Sequence, residues 1–321
     1  MKNLKNIIFI VLLIFLFVEV LIIFPNKLEQ QETQEAPAAV TQNDPSQPDQ
    51  KAQGIHLVET QQGSRDWELF SQVAEGYQGK SAVWELQNVK VLFYNKEKVS
   101  FTVTGDLGSI DGKSKDLRIK GNVVTRSENG YIFKTPSIFY NAKKRQIVSP
   151  EKVTMQGPKD EMGDGFVLEG KNMLVQVDDS RMTVSQAVRG SKKFKDGKDF
   201  FITSDKAEFS GKSRQAKFSG NVEMKYANLR LQGPAAVFQY KGVTDLISYI
   251  QMQGGVRVSD ADKVATSDTV DLDLFKNIFT FRGKPKVVQG QDELSGEEII
   301  FLDGGKKVKV ERVRARMEKR D

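Results

Sequence analysis

Residues 117–124 read LRIKGNVV, in which Leu and Ile alternate with Arg118 and Lys120 before a Gly-Asn bend. Alternation of apolar and polar side chains with a period of two is typical of a β-strand that buries one face. The same alternation runs through residues 89–94 and 271–274. Because no convincing amphipathic helix interrupts these runs, the pattern predicts an all-β body.

The predicted strands recur as a loose internal repeat. A triplet containing Thr, Ser or Gly opens each unit, about 29 to 35 residues after the previous one. The triplets are VTG (103–105), KTP (134–136), LEG (168–170), ITS (202–204), LQG (231–233), ATS (265–267) and LSG (294–296). Units of this size cannot bury an apolar face alone and must stack on their neighbours. We predict an elongated stack of β-hairpins, either folded into two facing antiparallel sheets or wound as a solenoid.

A long apolar segment lies near the N-terminus. Residues 7–24 read IIFIVLLIFLFVEVLIIF, with Glu19 as the single charge, and this length can cross a hydrocarbon layer of ~30 Å. A secretory signal peptide is the alternative, but its apolar core is shorter and its small-residue cleavage site follows more closely. Lys2 and Lys5 precede the segment, which places residues 1–6 in the cytoplasm and the body outside. We predict a single-pass transmembrane helix.

Composition narrows the class of protein further. Residues 25–54 are rich in Gln, Pro, Ala, Asp and Thr, which predicts a disordered linker. The 321 residues include no Cys and one His, so disulfides, zinc fingers, iron–sulfur clusters and Ser-His-Asp triads are excluded or nearly so.

The positive charge is concentrated at the C-terminus. Residues 306–321 contain eight Lys or Arg and three acids, so this tail supplies 8 − 3 = +5 of the net charge of +6. Its sequence KKVKVERVRARM alternates Val with Lys or Arg. This pattern predicts a strand with one apolar and one basic face.

The order of several longer motifs resembles a known family. The motifs are WELFSQVAEGYQGKSAVWELQNVKVLFY (67–94), SFTVTGDLGSIDGKSKDLRIKGNVV (100–124), FKTPSIFYNAKKRQIVSPEKVTMQG (133–157) and GFVLEGKNMLVQVDDSRMTV (165–184). Following one apolar segment and a linker, they resemble LptC, the inner-membrane component of the lipopolysaccharide export bridge. Residues 200–317, which include ITSDKAEFSGKSRQAKFSGNVEM, resemble the related LptA (OstA-like) periplasmic module.

The resemblance implies a β-jellyroll whose two facing sheets enclose an apolar interior along which lipid A acyl chains slide. It implies that the protein accepts lipopolysaccharide from an inner-membrane ABC transporter and passes it on, joining an LptA-like or outer-membrane Lpt jellyroll edge to edge. The chain continues about 130 residues beyond the usual end of LptC, which implies a second jellyroll fused in line.

These inferences give a domain plan with an inner-membrane anchor and a periplasmic body. The predicted parts are a cytoplasmic N-terminus (1–6), a transmembrane helix (7–24), a flexible linker (25–54), an LptC-like jellyroll (55–190), an LptA/OstA-like jellyroll (191–317) and a basic tail (318–321).

The lipid lining is predicted from the inward positions of the alternating strands. In the first module these are Val89, Val91, Phe93, Phe101, Val103, Leu117, Ile119, Ile138, Tyr140, Val153 and Met155. In the second they are Phe209, Phe218, Val222, Met224, Leu229, Leu231, Val237, Ile250, Met252, Val256, Leu272, Leu274, Phe279, Phe281, Ile299 and Phe301. The alternative for each residue is an ordinary sandwich core.

Basic residues are candidates for contact with lipid A phosphates, which Arg and Lys bind well. These residues are Arg118, Lys120, Lys143, Lys144 and Arg145, with the tail from Lys306. The alternative is a solvated face whose charges keep an edge strand from aggregating.

The chain lacks the constellations that catalysis needs. His56 lies at the linker boundary, and the pairs Asp271 with Asp273 and Glu297 with Glu298 fall on solvent-facing or adjacent positions, which offers no acid–base geometry. There is no P-loop or Rossmann glycine pattern. We therefore predict no enzyme activity, no cofactor and no metal.

Two other functions are alternatives to lipid transport, namely nucleic-acid binding and a purely structural role. The basic tail has no aromatic residues on which bases stack, and an exported protein rarely meets nucleic acid, so we predict no nucleic-acid partner. The remaining alternative is a membrane-tethered structural β-solenoid, a cell-envelope spacer without lipid cargo. Sequence periodicity is the same in both cases.

Overall fold

The computed structural model describes residues 48–61, 63–77, 82–95, 97–241, 246–273, 276–302, 307–312 and 314–316. The predicted transmembrane helix and most of the predicted linker lie outside the described residues. Within the described residues, the structure contains no helix with the length and apolarity that a membrane crossing requires.

The described body is an antiparallel β-structure with twenty-one strands in one hydrogen-bonded sheet, which confirms the all-β prediction. The strands are β1 (Gln50–Gln61), β2 (Ser64–Gly76), β3 (Val83–Asn95), β4 (Lys98–Asp111), β5 (Leu117–Ser127), β6 (Ile132–Asn141), β7 (Gln146–Gln156), β8 (Val167–Gln176), β9 (Arg181–Lys193), β10 (Asp199–Ser204), β11 (Lys206–Ser210), β12 (Gln215–Tyr226), β13 (Leu229–Lys241), β14 (Leu246–Asp260), β15 (Lys263–Asp273), β16 (Ile278–Arg282), β17 (Lys286–Gln289), β18 (Asp292–Ser295), β19 (Glu298–Leu302), β20 (Lys307–Glu311) and β21 (Arg314–Arg316).

Both ends of the body add strands to the ladder. β1 begins at Gln50, which pairs with Gly76 of β2, so strand pairing starts before the end of the predicted linker. At the other end, β20 pairs with β19 and β21 pairs with β18. Val310 packs against the interior while Val308 is exposed. Residues 307–311 and 314–316 of this basic sequence therefore form strands, as its alternation predicted.

A line of β-bulges crosses the long strands and coincides with the bends that the sequence repeat contains. In β5 the bulge holds Gly121 and Asn122, both with positive φ, and Asn122 donates a hydrogen bond of 2.8 Å to Asp106. β12 repeats this arrangement with Gly220 and Asn221, where Asn221 donates to Asp205 over 2.9 Å. Bulges bend a strand and increase its twist. Each long strand is thus divided into two arms.

The two arms face each other, because side chains from strands that are not neighbours meet in the interior. The rings of Phe93 in β3 and Tyr140 in β6 lie 5.1 Å apart in an edge-to-face arrangement. Phe200 in β10 and Phe238 in β13 make a similar contact at 6.1 Å. No hydrogen-bonded ladder joins either pair of strands directly, since other strands lie between them in the sheet. The sheet therefore folds over an enclosed apolar face.

The enclosed face contains two clusters of buried side chains. The first cluster runs from Trp67 to Ile147 and the second from Val153 to Ile299. Val175 of β8 packs against both clusters. β9 pairs with β8 on one side and with β10 and β11 on the other, so the ladder continues across residues 190 and 191. The division predicted there stays a prediction.

Candidate functional site

The enclosed apolar face is the candidate site, and the structure places almost all of the predicted lining residues on it. In the first cluster Val89, Val91, Phe93, Val103, Leu117, Ile119, Ile138 and Tyr140 are buried, and Phe101 packs against them with partial exposure. Val153 and Met155 are buried too, but in the second cluster rather than the first. Their burial places them on the interior face, whereas contact with lipid stays a prediction.

The second cluster gathers most of the remaining predicted residues. Buried there are Phe218, Val222, Met224, Leu231, Ile250, Met252, Val256, Leu272, Phe281 and Ile299. Phe209, Leu229, Phe279 and Phe301 are partly buried against it. Leu274 lies outside the described residues.

The inward orientation predicted for Val237 is wrong. Leu231 points inward, but the register of β13 shifts between Gln232 and Ala235, so the inward positions change from odd to even residues. Ala236 and Phe238 are buried, while Val237 is half-buried on the other face, where it pairs with Lys217. A bulge reverses the parity of every residue that follows it. The Gly-Pro pair at residues 233 and 234 was the available signal.

Several interior residues were missing from the predicted lining. Trp67 and Leu69 of β2 are almost fully buried in the first cluster, and Ile202 of β10 and Val184 of β9 are buried in the second. They belong to the same period-two alternation that identified the others.

The first cluster contains polar groups within its apolar surroundings. The indole nitrogen of Trp67 is buried and has no hydrogen-bond partner among the described residues. Tyr140 donates a hydrogen bond of 3.5 Å from its hydroxyl to Asp66. Burial, together with the charge of Asp66, raises the pKa of Tyr140 well above its ordinary value. The hydroxyl therefore stays protonated and acts as a donor.

Comparison with known proteins identifies the family of this fold. Residues 11–193 match the family model described as lipopolysaccharide-assembly, LptC-related, and this match covers more than half of the chain. The chain belongs to the LptC-related family. Residues 201–304 match a second model, described as LptA/(LptD N-terminal domain) LPS transport protein. The resemblance to LptC with a C-terminal LptA-like module is thus confirmed.

A solved structure of LptH from Pseudomonas aeruginosa, described as the LptA homologous periplasmic component of the conserved lipopolysaccharide transport device, is also similar. The sequence identity is 15%, the match covers 37% of this chain and 95% of that chain, and the TM-score is 0.34. A search of curated proteins found no match.

In the LptC-related region, one buried ion pair connects distant parts of the chain. Arg145, in the turn between β6 and β7, contacts Asp66 of β2. It also donates to Asp178 over 2.5 Å and to Gln61 over 2.9 Å. Burial opposes its charge, but the hydrogen bonds to both carboxylates raise the pKa of the Arg145 guanidinium. We call Arg145, Asp66, Asp178, Gln61 and Tyr140 the Arg145 cluster.

The Arg145 cluster changes the interpretation of the basic residues. The guanidinium of Arg145 forms ion pairs with protein carboxylates. Lys120, Lys143 and Lys144, in contrast, are exposed. Arg118 is exposed as well and lies over the ring of Phe139, 4.8 Å from its centroid. The phosphate contacts predicted for these residues of the LptC-related region stay predictions.

The LptA-like region contains a buried carboxylate that the sequence placed in solvent. Asp271 of β15 is nearly buried, contacts Arg282 and accepts a hydrogen bond of 2.8 Å from Gln251. Burial, with a hydrogen bond to Asp271, raises the pKa of Tyr249 to about 12. Asp271 lies on the face opposite Val270 and Leu272, as its alternation predicted, but it is buried there rather than exposed to solvent. The carboxylate is engaged in a structural ion pair.

The single histidine, which the sequence placed at the linker boundary, lies in strand β1 and is exposed. His56 of β1 stacks on Phe70 with ring centroids 4.3 Å apart, and its Nε2 lies 3.2 Å from Glu68. Glu68 also pairs with Arg65 over 3.0 Å. Among the described residues, no group of acidic and histidine side chains is arranged to hold a metal ion.

Proposed function

We propose that this LptC-related protein carries lipopolysaccharide with its acyl chains held on the enclosed apolar face. The observation that supports this proposal is the continuity of that face: Val175 packs against both clusters, and the second cluster runs from Val153 in the LptC-related region to Ile299 in the LptA-like region. Each buried methylene of an acyl chain gains roughly 0.8 kcal/mol from an apolar surface. Binding of this kind needs no catalytic group, so the proposed role is not enzymatic.

The proposal includes a direction of transfer. Residues 7–24 would anchor the chain in the inner membrane, residues 25–54 would act as a tether, and the body would lie in the periplasm. An inner-membrane ABC transporter would supply the lipid to the first of two jellyroll modules, residues 55–190. The second module, residues 191–317, would receive it and pass it onward.

The edges of the ladder are the proposed joints. Among the described strands, β1 pairs only with β2, and β20 pairs only with β19. Such edges carry unpaired backbone groups that accept a strand from another chain. An LptA-like or outer-membrane Lpt jellyroll would add to one of these edges, which would extend the apolar face from one protein to the next.

Lipid entry requires the interior to open. The side chains at the centre of each cluster leave almost no exposed surface. In the edge strand β1, however, Ile55 is only partly buried against the first cluster and Leu57 is 39% exposed. We propose that the acyl chains enter at this edge and separate the two arms as they advance.

The test is photo-crosslinking in living cells with a photoreactive residue at inward and outward positions of each module. Phe93 and Phe238 are inward, while Leu107 and Val237 are apolar controls on the outer face. We expect lipopolysaccharide adducts at the inward positions of both modules, and their loss when ATP hydrolysis by the transporter is blocked. Because the controls are apolar as well, unspecific hydrophobic labelling would appear at all four positions.

The packed interior supports one other candidate function, a tethered structural spacer without cargo. This candidate predicts no adducts at any inward position while the fold remains intact. Adducts in the first module alone would indicate that the second module is a docking extension.

A further inference from the structure

We propose that the indole N–H of Trp67 binds a neutral oxygen on an acyl chain inside the first cluster. The ligand class is therefore an acyl chain that carries an ester or hydroxyl oxygen, as opposed to a plain hydrocarbon. This inference rests on the proposed function, because it assumes that acyl chains enter the interior.

The evidence begins with an unpaired donor. Trp67 is 1% exposed, and its nitrogen has no acceptor among the described residues. A buried polar group without a partner costs roughly 1–3 kcal/mol. Buried tryptophans usually find a partner for the N–H, so this residue is an exception that needs a reason.

Neighbouring polar groups of the interior already have partners. The Tyr140 hydroxyl donates to Asp66. Further along, Thr135 and Ser149 share a hydrogen bond of 2.7 Å, and Ser71 donates to the carbonyl of Val73 over 2.7 Å. Among the described residues, the indole nitrogen of Trp67 is the buried side-chain polar atom that lacks a hydrogen-bond partner. In this proposal, the acceptor that completes this set comes from a ligand.

Trp67 lies close to the edge of the ladder. In the ladder it pairs with Phe93 on one side and with Glu59 of the edge strand β1 on the other. Leu57, the next residue of β1 on the same face, is 39% exposed. Trp67 is thus one strand away from the edge where entry is proposed.

The surroundings restrict the chemistry of the acceptor. Trp67 belongs to a cluster of aromatic and aliphatic side chains that includes Leu69 and Phe93. A charged phosphate or carboxylate would lose its hydration there without a counter-charge, which is strongly unfavourable. A neutral ester or hydroxyl oxygen accepts one hydrogen bond at a much smaller cost of desolvation. The chain that bears this oxygen fits the apolar lining.

The experiment uses the full chain in detergent micelles with ¹⁵N-labelled tryptophan. The sequence contains two tryptophans, Trp67 and Trp84, so two indole signals are expected and the variant Trp84→Phe assigns them. The probes are methyl tetradecanoate and heptadecane, which have the same number of heavy atoms. We expect a downfield shift of the Trp67 indole proton with the ester and none with the alkane.

Affinity measurements provide the second readout. Trp67→Phe keeps the aromatic volume but removes the donor, so the preference for the ester over the alkane should fall about three- to tenfold. Trp84→Phe is the matched control, since Trp84 packs partly buried against the same cluster, and it should keep the preference. The shift in the Trp84→Phe protein tests the proposal even where Trp67→Phe fails to fold.

The outcomes separate this inference from the proposed function. A Trp67 indole proton that is already downfield and exchanges rapidly without ligand would identify water as its partner and overturn the inference alone. Equal binding of the two probes would do the same. Binding of neither probe would overturn the proposed function and the inference together.

Discussion

The two clusters share one fold but differ in chemistry. The first is built from aromatic and aliphatic side chains, and polar groups enter it at Trp67 and Tyr140. The second contains four buried methionines, which are Met155, Met173, Met224 and Met252. Methionine is flexible and polarizable and fits irregular shapes. A common alternation thus builds one interior that contains polar groups and another that contains flexible methionines.

The largest expected effect tests the difference in packing. Leu69→Ala in the first cluster should lower the free energy of unfolding by about 4 kcal/mol, because its neighbours cannot refill the cavity. Met252→Ala in the second should cost about 2–3 kcal/mol, because nearby methionines rearrange into the space. Tryptophan fluorescence follows the first cluster, which both tryptophans contact, and hydrogen exchange of β14 follows the second. Equal losses would remove the packing difference between the clusters.

The second-largest effect concerns the ion pairs. Removing the Arg145 ion pair should lower the free energy of unfolding more than removing the Arg282 ion pair of the second region. Arg145→Ala leaves the buried Asp66 without its cation and with only the 3.5 Å hydrogen bond from Tyr140, so we expect a loss of about 3 kcal/mol in urea unfolding. Arg282→Ala is the matched variant in the second region, where the Arg282 side chain is 52% exposed and Asp271 keeps Gln251 as a donor. There we expect a loss of about 1–2 kcal/mol. A larger loss in Arg282→Ala would reverse this part of the comparison.

The bulges should behave alike in both regions. Gly121→Ala and Gly220→Ala each force a side chain into positive φ and against the carboxylate of Asp106 or Asp205. We expect each to cost about 2 kcal/mol. Gly255→Ala is the control, because its φ is +89° but nothing lies near the new methyl group, and it should cost about 1 kcal/mol. Thermal unfolding compares the three. If Gly121→Ala left the thermal stability unchanged, the bulges of β5 and β12 would not be structurally equivalent.

Acidification should produce the smallest difference in local stability between the two regions. Burial alone would raise the pKa of Glu68, but hydrogen bonds from Arg65, Tyr94 and His56 lower it below its ordinary value. A carboxyl with a lowered folded pKa stabilises the fold above its unfolded pKa of about 4.3, and that contribution is lost as the pH falls through the folded pKa. We expect the free energy of local opening of β1, measured by hydrogen exchange, to fall by about 1 kcal/mol or less below about pH 4.3.

The second region supplies the comparison for this acid response. Hydrogen bonds from Arg230 and Lys225 lower the pKa of Glu223 in the same direction, but β12 has strands on both sides. Its amides should therefore stay protected at the pH where β1 opens. Glu68→Gln should remove the pH dependence at β1, and persistence of that dependence would assign it to another group.

Local sequence patterns were sufficient for the strands and for most inward positions, because alternation depends on neighbouring residues only. Val237 shows where this fails, since a single bulge reverses the parity of the strand. The contact between Asp66 and Arg145 joins residues far apart in sequence, and no local pattern encodes it. The unpaired nitrogen of Trp67 is likewise a property of the folded surroundings. Tertiary contacts decide these features.

The unbroken antiparallel ladder has a consequence for how such a protein changes in length. Neighbouring strands lie about 4.8 Å apart, so inserting or deleting one hairpin moves everything beyond it by about 10 Å. Because the bulge line recurs in each repeat, a new hairpin meets the same neighbours as the old one did. The length of the body therefore changes in steps of one hairpin, and insertion or deletion of hairpins during evolution can fit it to the width of a compartment.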